Sequence, residues 1–194
     1  MSDMLNLIED PQMREDMEKL IKFHGHLSSG ALIGYQMLQI AKRKMDILDG
    51  EKIFVAAESQ NCLPDPFQII WGSTTGNKRL TVHNYEKMAV TVNKAAPPKE
   101  SSIQGIRIYL NMDKLKNYPI IYAWFMNERR IAHEEVVPEL LKAGEDIYSY
   151  DFVNIEVPIR QPKDVVICPK CKESFIKRGT DILCIPCALK ESKK

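Results

Sequence analysis

The sequence lacks a long apolar segment: no window approaches the eighteen consecutive apolar residues that a membrane-spanning helix needs. Its first residues, MSDMLNLIEDPQMRED, are acidic and polar, whereas a signal peptide begins with a basic segment followed by an apolar one. The sequence also lacks internal repeats and low-complexity stretches. We therefore expect a soluble, cytoplasmic protein of ordinary compact domains, without a membrane partner.

A strong excess of either charge is also missing. Across 194 residues the net charge is +1, and the 44% of residues that are hydrophobic suffice for one core of ordinary domain size plus a small satellite. The segment 163–194 carries eight Lys or Arg against four Asp or Glu, and its only aromatic residue is Phe175. Nucleic-acid binding by this tail stays open, but the surplus is too small to predict a strong phosphate-binding patch.

Cysteine is scarce, yet four of the five cysteines follow a specific spacing. They form two CxxC pairs with twelve residues between them, at Cys168, Cys171, Cys184 and Cys187. Four thiolates held in two chelating turns suit tetrahedral zinc, whereas two disulfides would require an oxidising compartment, to which nothing in the chain points. We predict a structural four-cysteine zinc finger over residues 163–194, after a core domain over residues 1–162.

Hydrophobic periodicity predicts that the core mixes helices and strands. Helical spacing indicates one helix over residues 11–22 and a longer, more apolar one from Ser29 to about Leu48. Gly30 and Gly34 would let another backbone approach the second helix closely. Strand patterns cover residues 52–59, 79–84, 87–93 and 103–110, and helical sequence covers 113–142 with breaks near its two prolines. The strand patterns at 79–84 and 87–93 could form a hairpin.

Two histidines, His24 and His26, flank a glycine between the first two predicted helices. In an extended segment, side chains two residues apart point the same way, so both imidazoles could reach one metal or substrate. His24, His26 and Cys62 are therefore the candidate functional residues of the first domain. The alternative is a helix-ending turn whose histidines bond to backbone, with Ser28 or Ser29 as the next N-cap. The charged segment 127–135 is interpreted as a solvated helical face.

The motif HGHLSSGALIGYQM resembles the HGHLCPGLAxGxRM signature of the formylmethanofuran dehydrogenase E-subunit (FmdE) family. Glu58-x-x-x-Cys62-x-x-Asp65-x-x-Gln68, followed by the segment GSTTG, is similar to the family's second block. The tail CPKCKESFIKRGTDILCIPC resembles the zinc finger that some members carry. The resemblance covers most of the chain and is vague between residues 95 and 151.

The resemblance implies an α+β core in which helices pack on an antiparallel sheet, an intertwined homodimer, and an appended treble-clef-like finger. It maps the family's site onto His24, His26 and Cys62, with Asp65 and Glu58 close by. A set of two histidines and a cysteine with a fourth position open to water is the layout of a catalytic zinc site. The resemblance therefore implies a candidate second metal or ligand site in the core.

This chain departs from the family pattern at two cysteine positions, which hold Ser28 and Ser73. A serine hydroxyl is a much poorer ligand for zinc than a thiolate, so a core site would depend on the remaining ligands. Nothing in the sequence resembles the pterin-binding or iron–sulfur machinery that would oxidise a formyl group. We therefore do not expect this chain to be a formylmethanofuran dehydrogenase by itself.

Three functions stay open from the sequence. The first is a metal-binding accessory protein whose finger docks on a partner, such as a protein of a molybdenum or tungsten enzyme system. The second is a dimeric regulator or adaptor whose finger contacts nucleic acid or protein. The third is a thiol- or metal-dependent enzyme with Cys62 as nucleophile, His24 or His26 as base and Asp65 as the group that orients the base.

Overall fold

The computed structural model describes residues 5–158, 162–180 and 182–192. The chain divides into two compact units, Met1–Val157 and Pro158–Lys194. The boundary predicted after residue 162 lies just inside the second unit. Within the described residues, no helix is long and apolar enough to cross a membrane.

Two capped helices open the first unit. Helix α1 spans Pro11–His24, and its N-cap Asp10 accepts a hydrogen bond from the third helical residue. It ends at Gly25, whose φ of 98° is left-handed and costs a glycine little. Helix α2 spans Ser29–Lys44, begins at the N-cap Ser28 and is buried along most of its length. It ends one turn before the predicted Leu48.

A five-stranded sheet forms the other layer. The strands are β1 (Ile53–Ala57), β2 (Leu80–Val82), β3 (Ala89–Lys94), β4 (Ser102–Leu110) and β5 (Tyr148–Glu156). Their order is β2-β1-β3-β4-β5, and every neighbouring pair is antiparallel except β1 and β2, which are parallel. The predicted α+β class with an antiparallel sheet is confirmed, with the parallel edge strand β2 as its one exception.

The predicted hairpin between the strands near residues 80 and 90 is wrong. Strands β2 and β3 do not pair, because each lies against a different side of β1. The connecting segment wraps around the end of β1, where the main-chain N–H of His83 donates to Ala57 and that of Tyr85 donates to Glu58. The prediction of a strand in each of the two segments is right, but β1 lies between the two strands and pairs with both.

Short helices complete the first unit. They are α3 (Asp65–Ile69), α4 (Met112–Leu115), α5 (Pro119–Phe125) and α6 (His133–Ala143). Helix α2 packs against α3, α6 and β4, and therefore lies at the centre of the core. The predicted helical region 113–142 is divided into three helices. A break does precede Pro119, but α6 continues through Pro138.

The second unit is a small β-hairpin followed by a helix. Strands β6 (Asp164–Ile167) and β7 (Ser174–Lys177) are antiparallel and are joined through the first CxxC turn. Helix α7 (Ile185–Glu191) begins within the second CxxC pair, with Cys184 as its N-cap. The four cysteines, together with Phe175 and Leu183, form the small interior of this unit, which fits the predicted small C-terminal finger.

Candidate functional sites

The junction of α1, α2 and the loop after β1 brings the core candidates into one neighbourhood. A Cβ atom built on Gly30 would lie 3.4 Å from Cβ of Cys62, so the loop with Cys62 packs on the first turn of α2. A Cβ on Gly34 would lie only 2.4 Å from the carbonyl oxygen of Leu63. The predicted close approach of another backbone to α2 is therefore present, and the loop that carries Cys62 supplies that backbone.

His24 is oriented by a carboxylate. Its Nδ1 lies 2.7 Å from Oδ2 of Asp65, and both side chains are largely buried, at 18% and 16% exposure. Asp65 begins α3, so this contact links the end of α1 to the start of α3. A carboxylate oxygen accepts the hydrogen bond, so Nδ1 is the donor and Nε2 faces away from the pair.

His26 lies between two other imidazoles. Its ring centroid is 4.8 Å from that of His24 and 5.6 Å from that of His133. The Nδ1 atom of His133 lies 2.9 Å from Ser29 Oγ and receives the Ser29 main-chain N–H at 3.3 Å. Burial, followed by the neighbouring His26, lowers the pKa of His133 and so favours the neutral ring.

His133 is the site residue that the sequence analysis missed. The interpretation of segment 127–135 as a solvated face is wrong at this position, because His133 begins α6 and bonds to the first turn of α2. It lies 104 residues from Ser29 along the chain, and no local pattern marks it. The only available signal was that the chain has just four histidines.

Glu58 forms an ion pair with Arg107. Its two carboxylate oxygens accept hydrogen bonds from Nε and a terminal nitrogen of Arg107 at 2.6 and 2.8 Å. The hydrogen bond from Arg107 lowers the pKa of the Glu58 carboxyl, and this outweighs the opposing effect of burial. In this arrangement Glu58 connects the end of β1 to β4.

Ser28 and Ser73, where the resemblance implies cysteines, are buried and hydrogen-bonded. Ser28 Oγ accepts the main-chain N–H of Ala31 at 3.1 Å and so caps α2. Ser73 Oγ donates to the carbonyl oxygen of Ile53 at 2.8 Å and so ties the turn after α3 to β1. Both hydroxyls therefore have structural partners.

The four cysteines of the second unit form a metal-binding group. Their sulfur atoms all lie within 4.8 Å of one another, and Sγ of Cys171 is 3.7 Å from Sγ of Cys184. A tetrahedron with metal–sulfur bonds of about 2.3 Å has a sulfur–sulfur edge of about 3.8 Å, so this spacing suits one ion. Main-chain hydrogen bonds, first from Cys171, lower the pKa of Cys168 to about 6 and favour its thiolate. Burial raises the pKa of Cys187 to about 12.

The four-cysteine cluster differs from every other group of potential metal ligands in residues 5–158, 162–180 and 182–192. Within those residues, it is the only set of three or more His, Cys, Asp or Glu side chains whose ligand atoms are close enough to share an ion. The core set of His24, His26 and Cys62 accordingly stays a prediction as a metal site. What the structure does bring together in the core is a cluster of three imidazoles.

The sequence profile described as "FmdE, Molybdenum formylmethanofuran dehydrogenase operon" matches residues 23–155, which is more than half of the chain. The chain belongs to the FmdE family. The matched segment includes the histidine cluster, Cys62 and Asp65, whereas the cysteine cluster follows it.

Two known proteins are similar to this FmdE protein. A tungsten formylmethanofuran dehydrogenase FmdE-like protein from Syntrophus aciditrophicus has a crystal structure that superimposes with a TM-score of 0.73 at 28% identity, covering 90% of each chain. A probable S-adenosyl-L-methionine-binding protein from Archaeoglobus fulgidus is 27% identical over 86% of this chain. The chain spans about half the length of that curated relative, at 50%.

Proposed function

We propose that this FmdE-family protein is a zinc-binding accessory protein, and that it is not a formylmethanofuran dehydrogenase by itself. The observation that carries the proposal is the cluster of four sulfur atoms within 4.8 Å of one another. All-sulfur tetrahedral sites are typical of structural zinc, and with four protein ligands they leave no position for a substrate. The ion would hold the hairpin and α7 together, since a unit this small has little other interior.

The core would then carry the second, chemically active site of the accessory protein. Nε2 of His24 faces away from Asp65, and the candidate co-ligands are His26, whose ring centroid lies 4.8 Å from that of His24, and Cys62. In this assignment Asp65 orients His24 from outside the ligand set, an arrangement common in metal sites. A bound zinc ion would supply a Lewis acid and a water of lowered pKa.

Two surfaces support the proposal that the protein works in an assembly. In the first unit, β5 is at the edge of the sheet and exposes Tyr150 and Phe152, at 39% and 52%. An edge strand with exposed aromatic side chains is suited to contact with a second copy, which is the expected homodimer.

Among the described residues of the second unit, six large aliphatic side chains are exposed: Val165, Ile167, Ile176, Ile182, Ile185 and Leu189. A surface of this kind favours a protein partner over nucleic acid, because phosphate binding depends on basic side chains. The partner proposed here is a protein of a molybdenum or tungsten enzyme system.

Elemental analysis of the purified full-length protein tests both metal assignments. We expect two zinc ions per chain, falling to one in Cys184→Ser and also to one in His24→Asn or Cys62→Ser. His83→Asn is the matched control, because His83 is exposed and stacks on Tyr85 instead of joining the cluster. A single ion that disappears in Cys184→Ser would support the finger site and refute the core metal site. Retention of all metal in Cys184→Ser would refute the finger site.

A ligand titration and a thiol assay address the alternatives. Because the curated relative from Archaeoglobus fulgidus is named for S-adenosyl-L-methionine, that compound is the first small molecule to titrate. The thiol-enzyme alternative requires a rapidly alkylated Cys62 with a lowered pKa. Slow labelling at the rate of an ordinary thiol would remove the support for that alternative.

A further inference from the structure

His24 and His133 are held in opposite hydrogen-bonding states. The Asp65 carboxylate accepts a hydrogen bond from Nδ1 of His24, so in the neutral ring the lone pair is on Nε2. The free end of His24 can therefore act as a base or as a metal ligand.

Ser29, which bonds to Nδ1 of His133, requires the opposite tautomer in that ring. The main-chain N–H of Ser29 points at Nδ1 from 3.3 Å, and a main-chain N–H can only donate. Nδ1 must therefore be the acceptor, and in the neutral ring the proton is on Nε2. The Ser29 hydroxyl, 2.9 Å from the same atom, can donate to it as well. The free end of His133 is consequently an N–H donor without a lone pair.

We propose that His133 is a ligand-positioning residue of the core site that donates its Nε2–H to an oxygen atom of the bound ligand. That oxygen belongs to a small carboxylate or phosphate. The inference rests on the proposed function only in requiring that the histidine cluster binds a ligand.

The arrangement excludes a metal-ligand role for His133. A histidine whose Nδ1 accepts a hydrogen bond has no lone pair left for a metal, so His133 is not a third metal ligand. The ring of His26 lies 5.6 Å from that of His133, so the His133 side chain borders the histidine cluster. The simpler role, in which His133 only satisfies the first turn of α2, is separated from the proposed one by the substitutions below.

The tautomers can be measured directly, because the chain contains only four histidines. Long-range proton–nitrogen NMR spectra of full-length protein with ¹⁵N-labelled histidine, recorded at about pH 8 where neutral rings dominate, distinguish the two tautomers. Single histidine variants assign the signals. We expect an Nδ1–H tautomer at His24 and an Nε2–H tautomer at His133. An Nδ1–H tautomer at His133 would refute the proposal.

Separate titrations with acetate and inorganic phosphate then test binding at the cluster. We expect a saturable shift of the His133 Nε2 signal with at least one of these anions. Because neither titration adds zinc, failure of the core metal site in the elemental analysis would leave this proposal intact. If neither anion shifts the signal, or if His24 and His26 respond and His133 does not, the proposal is wrong.

Two substitutions separate the donor role from the contact with α2. His133→Asn keeps an oxygen that can accept the Ser29 N–H but has no donor at the Nε2 position, whereas His133→Gln restores an N–H there. For the probe that shifts His133, we expect affinity to fall about tenfold or more in His133→Asn, to recover partly in His133→Gln, and to be unchanged in His83→Asn. Unchanged affinity in His133→Asn, or equal affinity in His133→Asn and His133→Gln, would overturn the assignment.

Discussion

Gly34→Ala offers the sharpest test of how α2 and the Cys62 loop are packed. The added Cβ would lie 2.4 Å from the carbonyl oxygen of Leu63 and 3.2 Å from its carbonyl carbon. These are main-chain atoms of a loop held by its own hydrogen bonds, including one from the N–H of Asp65 to the carbonyl of Cys62. The loop cannot rotate away as a flexible side chain could, so either the loop or the helix must shift.

The cost can be worked from two opposing effects. Overpacking of a well-packed interior costs about 1–3 kcal/mol. Replacing glycine by alanine within a helix returns up to about 1 kcal/mol through helix propensity. We therefore expect Gly34→Ala to lower the free energy of unfolding by up to about 2 kcal/mol, and to be about 1–3 kcal/mol less stable than a helix variant without the clash. Gly30→Ala is the matched control on the same helix, because its Cβ would lie 3.4 Å from Cβ of Cys62, close to an ordinary contact.

Urea unfolding followed by tryptophan fluorescence measures the difference, because both tryptophans, Trp71 and Trp124, lie in the first unit. The alkylation rate of Cys62 gives a second readout, since a displaced Leu63 carbonyl moves its neighbour as well. We expect Gly30→Ala to match or exceed the wild type in stability. If Gly34→Ala is as stable as Gly30→Ala, the close approach of loop and helix is wrong.

Three further substitutions test single contacts by the same unfolding assay. Ser28→Ala removes the N-cap of α2 and should cost about 1 kcal/mol, whereas Ser28→Asn should retain most of the cap. Tyr148→Phe leaves the buried side-chain oxygen of Gln36 without its 2.6 Å donor and should cost about 1–3 kcal/mol. Glu58→Gln should cost about 1–2 kcal/mol at neutral pH. Because the folded pKa of Glu58 lies below its ordinary value of 4.5, the stability from its pair with Arg107 is complete above that pH and is lost as pH falls through the folded pKa. The difference between wild type and Glu58→Gln should therefore shrink in acid, and a difference that stays constant down to pH 3 would contradict the ion pair.

Local sequence signals predicted the parts of this protein that local chemistry determines. A serine after the HGH segment indicated the cap of α2, and Ser28 is that cap. The two CxxC pairs predicted a four-sulfur cluster, because two chelating turns leave few other arrangements. The glycine at position 34 predicted a close approach that is found at the Leu63 carbonyl.

Long-range pairing is where the sequence was insufficient. The segments near residues 80 and 90 both have strand character, but their placement on opposite sides of β1 depends on hydrogen bonds that no window contains. His133 joins the cluster through a contact that spans 104 residues, from a segment whose composition is that of an exposed helix. Strand type is a local property, whereas strand partners and site membership are properties of the assembled core.

The two serines bear on which residues remain for a core site. Ser28 and Ser73 are buried, at 1% and 0% exposure, and each hydroxyl bonds to the main chain. Either could bind a metal only by giving up a cap of α2 or a tie to β1, and a hydroxyl is a weak ligand in any case. If the core binds a ligand as proposed, these hydroxyls are therefore not its ligands, and the candidates that remain are the imidazoles of the histidine cluster and Cys62.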